Sequence, residues 1–204
     1  MPEPQREVIV TRIALLELRD EQRLAQEGYS LLDEKRILLA AEMRHQLARL
    51  RELQHACGAA EAAAREALAA VLERHGLDEL SVYPPLSGSD DQLQTQRTRL
   101  LGLTLVEASL QAGRPQMAEQ PVNPSPEARA CAAAYRTWLV PLVALAACSV
   151  SLRRLTREYL RTDRRARAIE NVLLPEIEST RKFLEDQLES LDQEEIARLR
   201  LRAR

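Results

Sequence analysis

Between Glu7 and His75 the sequence has no proline, and glycine occurs only at Gly28 and Gly58, so 69 consecutive positions contain nothing that forces a break. A chain of that kind with an apolar repeat folds as one long helix, here roughly 100 Å at ~1.5 Å per residue. The repeat is present from Leu39 onward. Leu39, Met43, Gln46, Leu50, Leu53, Cys57, Ala60, Ala64, Ala67 and Val71 alternate in steps of four and three, with only Gln46 polar among them. A sustained 3.5-residue period describes a narrow seam that meets one partner helix, and the alanine-rich second half lets that partner approach closely. Gly76 is read as the residue that ends the helix, with Leu77 folding back onto Leu72.

The partner is further along the same chain. Ser125, Pro126 and Glu127 supply a cap, a first-turn proline and a first-turn acid, which together mark a second helix start. That helix runs to about Leu201, with bends expected at Pro141 and Pro175, each of which removes a backbone donor. Its seam reads Leu152, Leu155, Tyr159, Thr162, Ala166, Ile169, Leu173, Ile177, Thr180, Leu184, Gln187, Leu191. The step Ile169, Leu173, Ile177 is four plus four, a stutter that coincides with the kink residue Pro175. Two such helices joined by a folded middle pack antiparallel. The expected fold is therefore all-α: a long antiparallel two-helix coiled coil of residues 7–75 and 125–202, with a small irregular head over 76–124 punctuated by Tyr83-Pro84-Pro85, Gly113-Arg114-Pro115 and Pro121 to Pro124. Within the head, Leu101 to Val106 fits one arm of a small hairpin or a short helix equally well.

Composition narrows function by exclusion. Aromatics are only 3% and glycines only 6, which argues against sandwiches and nucleotide-binding glycine loops. Lys+Arg 29 against Asp+Glu 31 leaves no global field for nucleic acid. No Gly-x-x-x-x-Gly-Lys-Ser/Thr loop occurs, so nucleotide hydrolysis by the chain alone is not expected. His45, His55 and His75 are too widely spaced to share a metal, and no cofactor is implied. Cys57, Cys131 and Cys148 lack paired spacing and fit small apolar positions in a reducing compartment. The acidic, proline-containing start does not resemble a signal peptide. Trp138 to Val150, the most apolar run, is shorter than the ~20 residues of a membrane span and reads as buried helix, without direct membrane insertion.

Particular residues carry a resemblance. Thr11-Arg12, Leu15-Leu16, Leu18, Arg23-Leu24-Ala25, Gly28, Leu31-Leu32 and Lys35-Arg36 resemble the opening helix of the D subunit of the V-type (A/V-type) ATPases, the central rotor shaft. Arg164-Arg165, then Ala168-Ile169-Glu170-Asn171-Val172-Leu173-Leu174-Pro175, and Arg198-Leu199-Arg200 resemble its closing helix. The second segment is the more specific, because proline inside a strong helix costs about 3 kcal/mol and does not arise by chance in a coiled coil.

The resemblance implies a non-catalytic shaft on the cytoplasmic side, peripheral to the membrane. Its partners would be the A and B subunits of the catalytic ring, the small F subunit, and the socket subunit (C/d) of the membrane rotor. It implies ring contacts for Arg12, Arg164, Arg165, Arg198 and Arg200. The basic row Arg153, Arg154, Arg157, Arg161, Arg164 and Arg165 then reads either as a track for acidic loops of the ring or as ordinary pairs to Asp33 and Glu34 on the facing helix. The terminal arginines read as a contact inside the ring cavity or as favourable charge at a helix C-terminus. The acids from Glu185 to Glu195 read as a solvated face paired with Arg12 and Arg19. A stand-alone coiled-coil scaffold and an export-ATPase stalk share the composition. The first gives no reason for the Asn171-to-Pro175 segment, and the second has no folded head.

Overall fold

The structure is a computed structural model that describes residues 9–81, 86–87, 91–111, 116–117 and 125–202. The proline-rich punctuation of the head and the expected helix start at Glu7 fall outside those residues. The elements are α1 (Arg12–Ser81), β1 (Leu86–Ser87), β2 (Gln92–Leu100), β3 (Leu103–Gln111), β4 (Gln116–Met117), α2 (Pro126–Ala168), a π-helical turn (Ile169–Leu173) and α3 (Leu174–Arg202). The chain is mostly α. It divides into a terminal unit, Met1–Leu39 with Glu158–Arg204, and a middle unit, Ala40–Arg157.

At three points that the sequence singles out the structure adds a local reason. α1 starts at Arg12, because the Thr11 hydroxyl accepts the amide of Ala14 at 3.1 Å and caps the first turn. At the other end Gly76 takes φ 71°, ψ 176°, a non-helical conformation essentially reserved for glycine, so the long helix is interrupted there as the sequence predicts, and a short helical segment follows to Ser81. Leu77 is 73% exposed, so the expected clasp onto Leu72 is not made. The 4-4 stutter is met by the π-helical turn, in which the amide of Leu174 bonds the carbonyl of Ile169 five residues back. The looser winding occurs just ahead of Pro175, whose missing amide would leave an ordinary turn one donor short. α2, in contrast, runs through Pro141 without interruption.

In the terminal unit, α1 and α2–α3 lie antiparallel. Leu18, Ala25, Ile177 and Leu184 form its core, flanked by Val10, Ala14, Leu15, Ile169, Leu173 and Leu174. Ion pairs between the helices follow the same order: Arg12 to Asp192, Arg19 to Glu185, Lys35 to Glu158 at 2.6 Å, and Arg36 to Asp163.

The middle unit is also an antiparallel helix pair, built from smaller side chains. Cys57, Ala64 and Val71 of α1 and Ala128, Cys131, Ala147, Cys148 and Leu155 of α2 are buried. Gln46, the polar residue in the α1 seam, is only 7% exposed. Its amide donates to Glu42, and its side-chain and backbone oxygens both receive the Cys148 thiol. The Trp138 indole donates to Cys57 Sγ at 3.2 Å. Ser125 caps α2 by accepting the amide of Ala128 at 3.1 Å.

Among the described residues of the head, β2 and β3 form a hairpin, which resolves the Leu101 to Val106 ambiguity. Leu101 and Gly102 are the two-residue turn, both at positive φ (49° and 84°), and β2 and β3 pair from Leu100↔Leu103 to Gln92↔Gln111. β1 and β4 pair antiparallel in the same register farther from the turn. Leu101 fills a position usually given to Asn or Asp, so the turn has no ordinary sequence signal.

Candidate functional site

Among the described residues no group of three metal-ligating side chains comes together. Of the seam residues named from the sequence, Leu39, Leu155, Ile177 and Leu184 are below 2% exposed and Met43, Leu50, Leu53, Tyr159, Ile169 and Leu173 are half-buried, whereas Gln187 and Leu191 at its end are exposed, so the predicted seam does not extend past Leu184. Pro175 is exposed in the first turn of α3.

The five arginines assigned to ring contacts occupy different settings. Arg12 is bonded through one guanidinium nitrogen to both oxygens of Asp192 and remains 77% exposed. Together with Leu15, Leu16, Glu185, Leu188 and Glu189 this pair lines an open groove. Arg164 and Arg165 are exposed near the end of α2. Arg198 pairs with Glu194 one turn back, and Arg200 is exposed in the last turn. Pairing with the facing helix takes a different route from the one anticipated: Asp33 bonds Arg36, which reaches Asp163, and Arg167 completes the cluster at Asp163. Arg154 donates instead to the backbone carbonyl of Thr104 in the hairpin.

The ion pairs set the local electrostatics. Lys35 donates to Glu158 and holds its carboxyl below the ordinary range, with Arg161 and Arg165 adding to the field. Arg19, and then Arg181, lower Glu185 in the same way. Glu127 is lowered by its own backbone amide, the Ser125 hydroxyl and Arg74. Tyr29 is raised by burial and by the charges of Glu170, to which it is hydrogen-bonded, and Asp33.

One row is not anticipated from the sequence. Leu24, Leu31 and Leu38 are 70%, 66% and 54% exposed. They recur every seven residues, one position ahead of Ala25, Leu32 and Leu39, which face the partner helix more closely. Its signal is a second seven-residue period on the same helix, and it lies on the solvent side of the seam.

The hairpin is fastened to α2 by its backbone. With Leu100↔Leu103 closing the turn, Thr104 and Val106 direct their amide and carbonyl groups away from β2. The Ser151 hydroxyl accepts the Val106 amide at 2.8 Å and donates to the Val106 carbonyl at 2.9 Å, so one buried side chain stands in for a neighbouring strand. Arg49 of α1 bonds Glu107, and Arg136 bonds Asp91 just before β2.

A chain of antiparallel helix pairs with a side-chain-anchored hairpin, and with exposed leucines and arginines on its outer faces, belongs to the class of helical subunits that work by contact with other chains. Comparison with known proteins makes this specific. The family model for the ATP synthase D subunit matches residues 14–202, and the chain belongs to that family. It is 29% identical over 204 residues to the V-type ATP synthase D subunit of Thermus thermophilus, covering 95% of this chain and 86% of that one. It is 25% identical to the Thermotoga neapolitana V-type D subunit, covering 95% of each. It is also 26% identical to the Methanopyrus kandleri A-type D subunit, covering 93% of this chain and 83% of that one.

Proposed function

We propose that this chain is the central-stalk rotor subunit of a V-type ATPase, carrying torque between the A/B catalytic hexamer and the membrane rotor so that ATP hydrolysis or synthesis is coupled to ion transport. Besides family membership, the observation that carries this reading is the construction of the terminal unit. Its helices are held to each other by large aliphatic side chains and interhelical ion pairs, while Leu24, Leu31, Leu38, Arg164 and Arg165 face outward. A helix pair satisfied internally can turn as one body, and its outward residues are left to touch a surrounding ring.

The mechanism is geometric. A stiff, asymmetric pair presents different residues to each A/B interface, and each interface shifts toward the open or closed form only as far as those contacts differ in free energy. No chemical step falls on the shaft itself, so the subunit is non-catalytic and needs no cofactor. The head would bind the small F subunit and seat on the socket subunit (C/d), and the chain would be peripheral to the membrane on its cytoplasmic side. Arg12, Arg164, Arg165, Arg198 and Arg200 are the basic contacts proposed for the ring.

Titration of the purified chain against an A/B hexamer, read by native mass with and without the F subunit, tests the proposal. One copy entering per hexamer, with a raised or gated ATPase rate, is expected. An intact ring that takes up none, or ATPase activity in the isolated chain, would overturn it.

A further inference from the structure

Two stretches of helix that the sequence places in a core are largely uncovered. In the apolar run of α2 over residues 138–150, expected as buried helix, only Ala147 and Cys148 are buried. The second stretch lies inside the terminal unit. Leu18, Ala25, Leu32 and Leu39 recur every seven residues along α1, and the first, second and fourth are buried, but Leu32 is not. Among the described residues 26–38 of α1 none is buried, and the same holds for residues 167–176 of the facing helix, although Ala166 and Ile177 on either side are 1% exposed. The helix pair therefore has a gap in its core about 15–20 Å long.

Both helices are soft at that level. An α-helix turns ~100° per residue, so the four-plus-four step from Ile169 through Leu173 would carry Ile177 about 80° off the seam. The π-helical turn absorbs the excess and returns Ile177 to the core, which leaves it one residue longer than an α-turn. Pro175 follows it and has no amide to brace the turn. In α1 the matching point is Gly28. The Tyr29 hydroxyl beside it is hydrogen-bonded to Glu170 of the π-helical turn, which fixes the two points at one height. Gly28 is helical, and a Cβ there would meet no atom within 4 Å, so neither backbone conformation nor close approach calls for glycine. What glycine does supply is a helix several-fold easier to open than alanine gives. A single soft helix is splinted by a stiff partner; two soft points at one height are not.

We infer that Gly28 and the π-helical turn form a joint within the terminal unit, at which residues 12–25 with 177–202 bend as one arm against the rest of that unit. Each side of the joint is clamped: Arg19 pairs with Glu185 in the arm, and Arg36 pairs with Asp163 on the other side. The bend is thereby confined to the gap. The joint is a property of the chain alone and does not rest on the rotor reading. In a shaft it lets the outer arm tilt to follow its surroundings while the clamped part on the other side keeps its pairing.

The full chain tests it without any partner. Backbone amides of residues 28–32 and 173–177 are expected to exchange with deuterium about tenfold faster or more than those of 18–25 and 180–184. Spin labels at Arg161→Cys and Asp186→Cys, in a chain carrying Cys57→Ala, Cys131→Ala and Cys148→Ala, straddle the turn by ~37 Å and should give a broad distance distribution. Deleting Pro175 turns the four-plus-four step into four plus three and restores an amide at every position, so exchange should slow about tenfold and the distribution narrow. Gly28→Ala should slow exchange about fivefold at residues 28–32, and it carries the test if the deletion lowers helix content by circular dichroism. Exchange in the two stretches as slow as in the flanking core, a single narrow distance in the labelled chain before either change, or fast exchange that neither change slows would each overturn the inference.

Discussion

The two helix-paired units solve the same packing problem with different side chains. In the terminal unit Leu18, Ile177 and Leu184 fill the space between helices, and four ion pairs run alongside. In the middle unit cysteine, alanine and serine occupy most of the buried positions beside Val71 and Leu155, and Ser151 is spent on holding the hairpin. Large aliphatic side chains make an interface that suffers when they are trimmed. Small ones make an interface that suffers when they are enlarged.

The largest expected effect comes from removing bulk where bulk does the holding. Leu184→Ala, at a fully buried position of the terminal unit, should cost about 2–5 kcal/mol in urea unfolding, whereas Ala64→Gly in the middle unit should cost only ~1 kcal/mol, mainly through helix propensity. Equal losses would erase the distinction. The converse change sharpens it. Ala64→Leu should destabilise by about 1–3 kcal/mol through overpacking, while the same substitution at the exposed Ala146 should leave the unfolding midpoint unchanged.

A smaller effect separates the hairpin from the helices. Ser151→Ala strips the Val106 amide and carbonyl of their shared partner, a loss of about 1–3 kcal/mol. It should appear as faster hydrogen exchange at Val106 with little change in the terminal unit. Uniformly faster exchange throughout would show that the hairpin is integral to the helix pair.

The smallest effect is acid sensitivity. Glu158, Glu185 and Glu127 are held below the ordinary carboxylate value of 4.5 in the folded chain, so the stability they contribute is complete above that value and is lost as the pH falls through their depressed values. Thermal midpoints should decline on acidification below about pH 4.5 and stay level above it. Glu158→Gln should flatten the decline. Two of the three carboxylates lie in the terminal unit, so its amides should lose exchange protection first.

Much of this architecture is legible without coordinates, because helix signals are local. Ser125-Pro126-Glu127 marks a helix start by chemistry confined to one turn, and the aliphatic period from Leu39 to Val71 defines one face of α1 whatever lies opposite it. The pairing of Arg12 and Arg19 with the acids of α3 is also readable, since antiparallel alignment puts complementary charge at matching distances from the ends. What escapes the sequence is non-local. Leu101-Gly102 carries no hairpin signature, and nothing near Ser151 in sequence announces that its hydroxyl will serve a strand 45 residues earlier.

The sequence by itself therefore determined that two long helices form, where the second begins, which faces they turn to each other and that the chain resembles a rotary-ATPase shaft. Those properties follow from period, capping and charge within a few turns. Tertiary structure alone decided that the stutter becomes a π-helical turn, that the head contains a hairpin fastened through Ser151, and that Leu24, Leu31, Leu38 and the outward face of α2 remain uncovered. An apolar residue reads the same in sequence whether its neighbour in space is another helix or water, and only the folded chain distinguishes them.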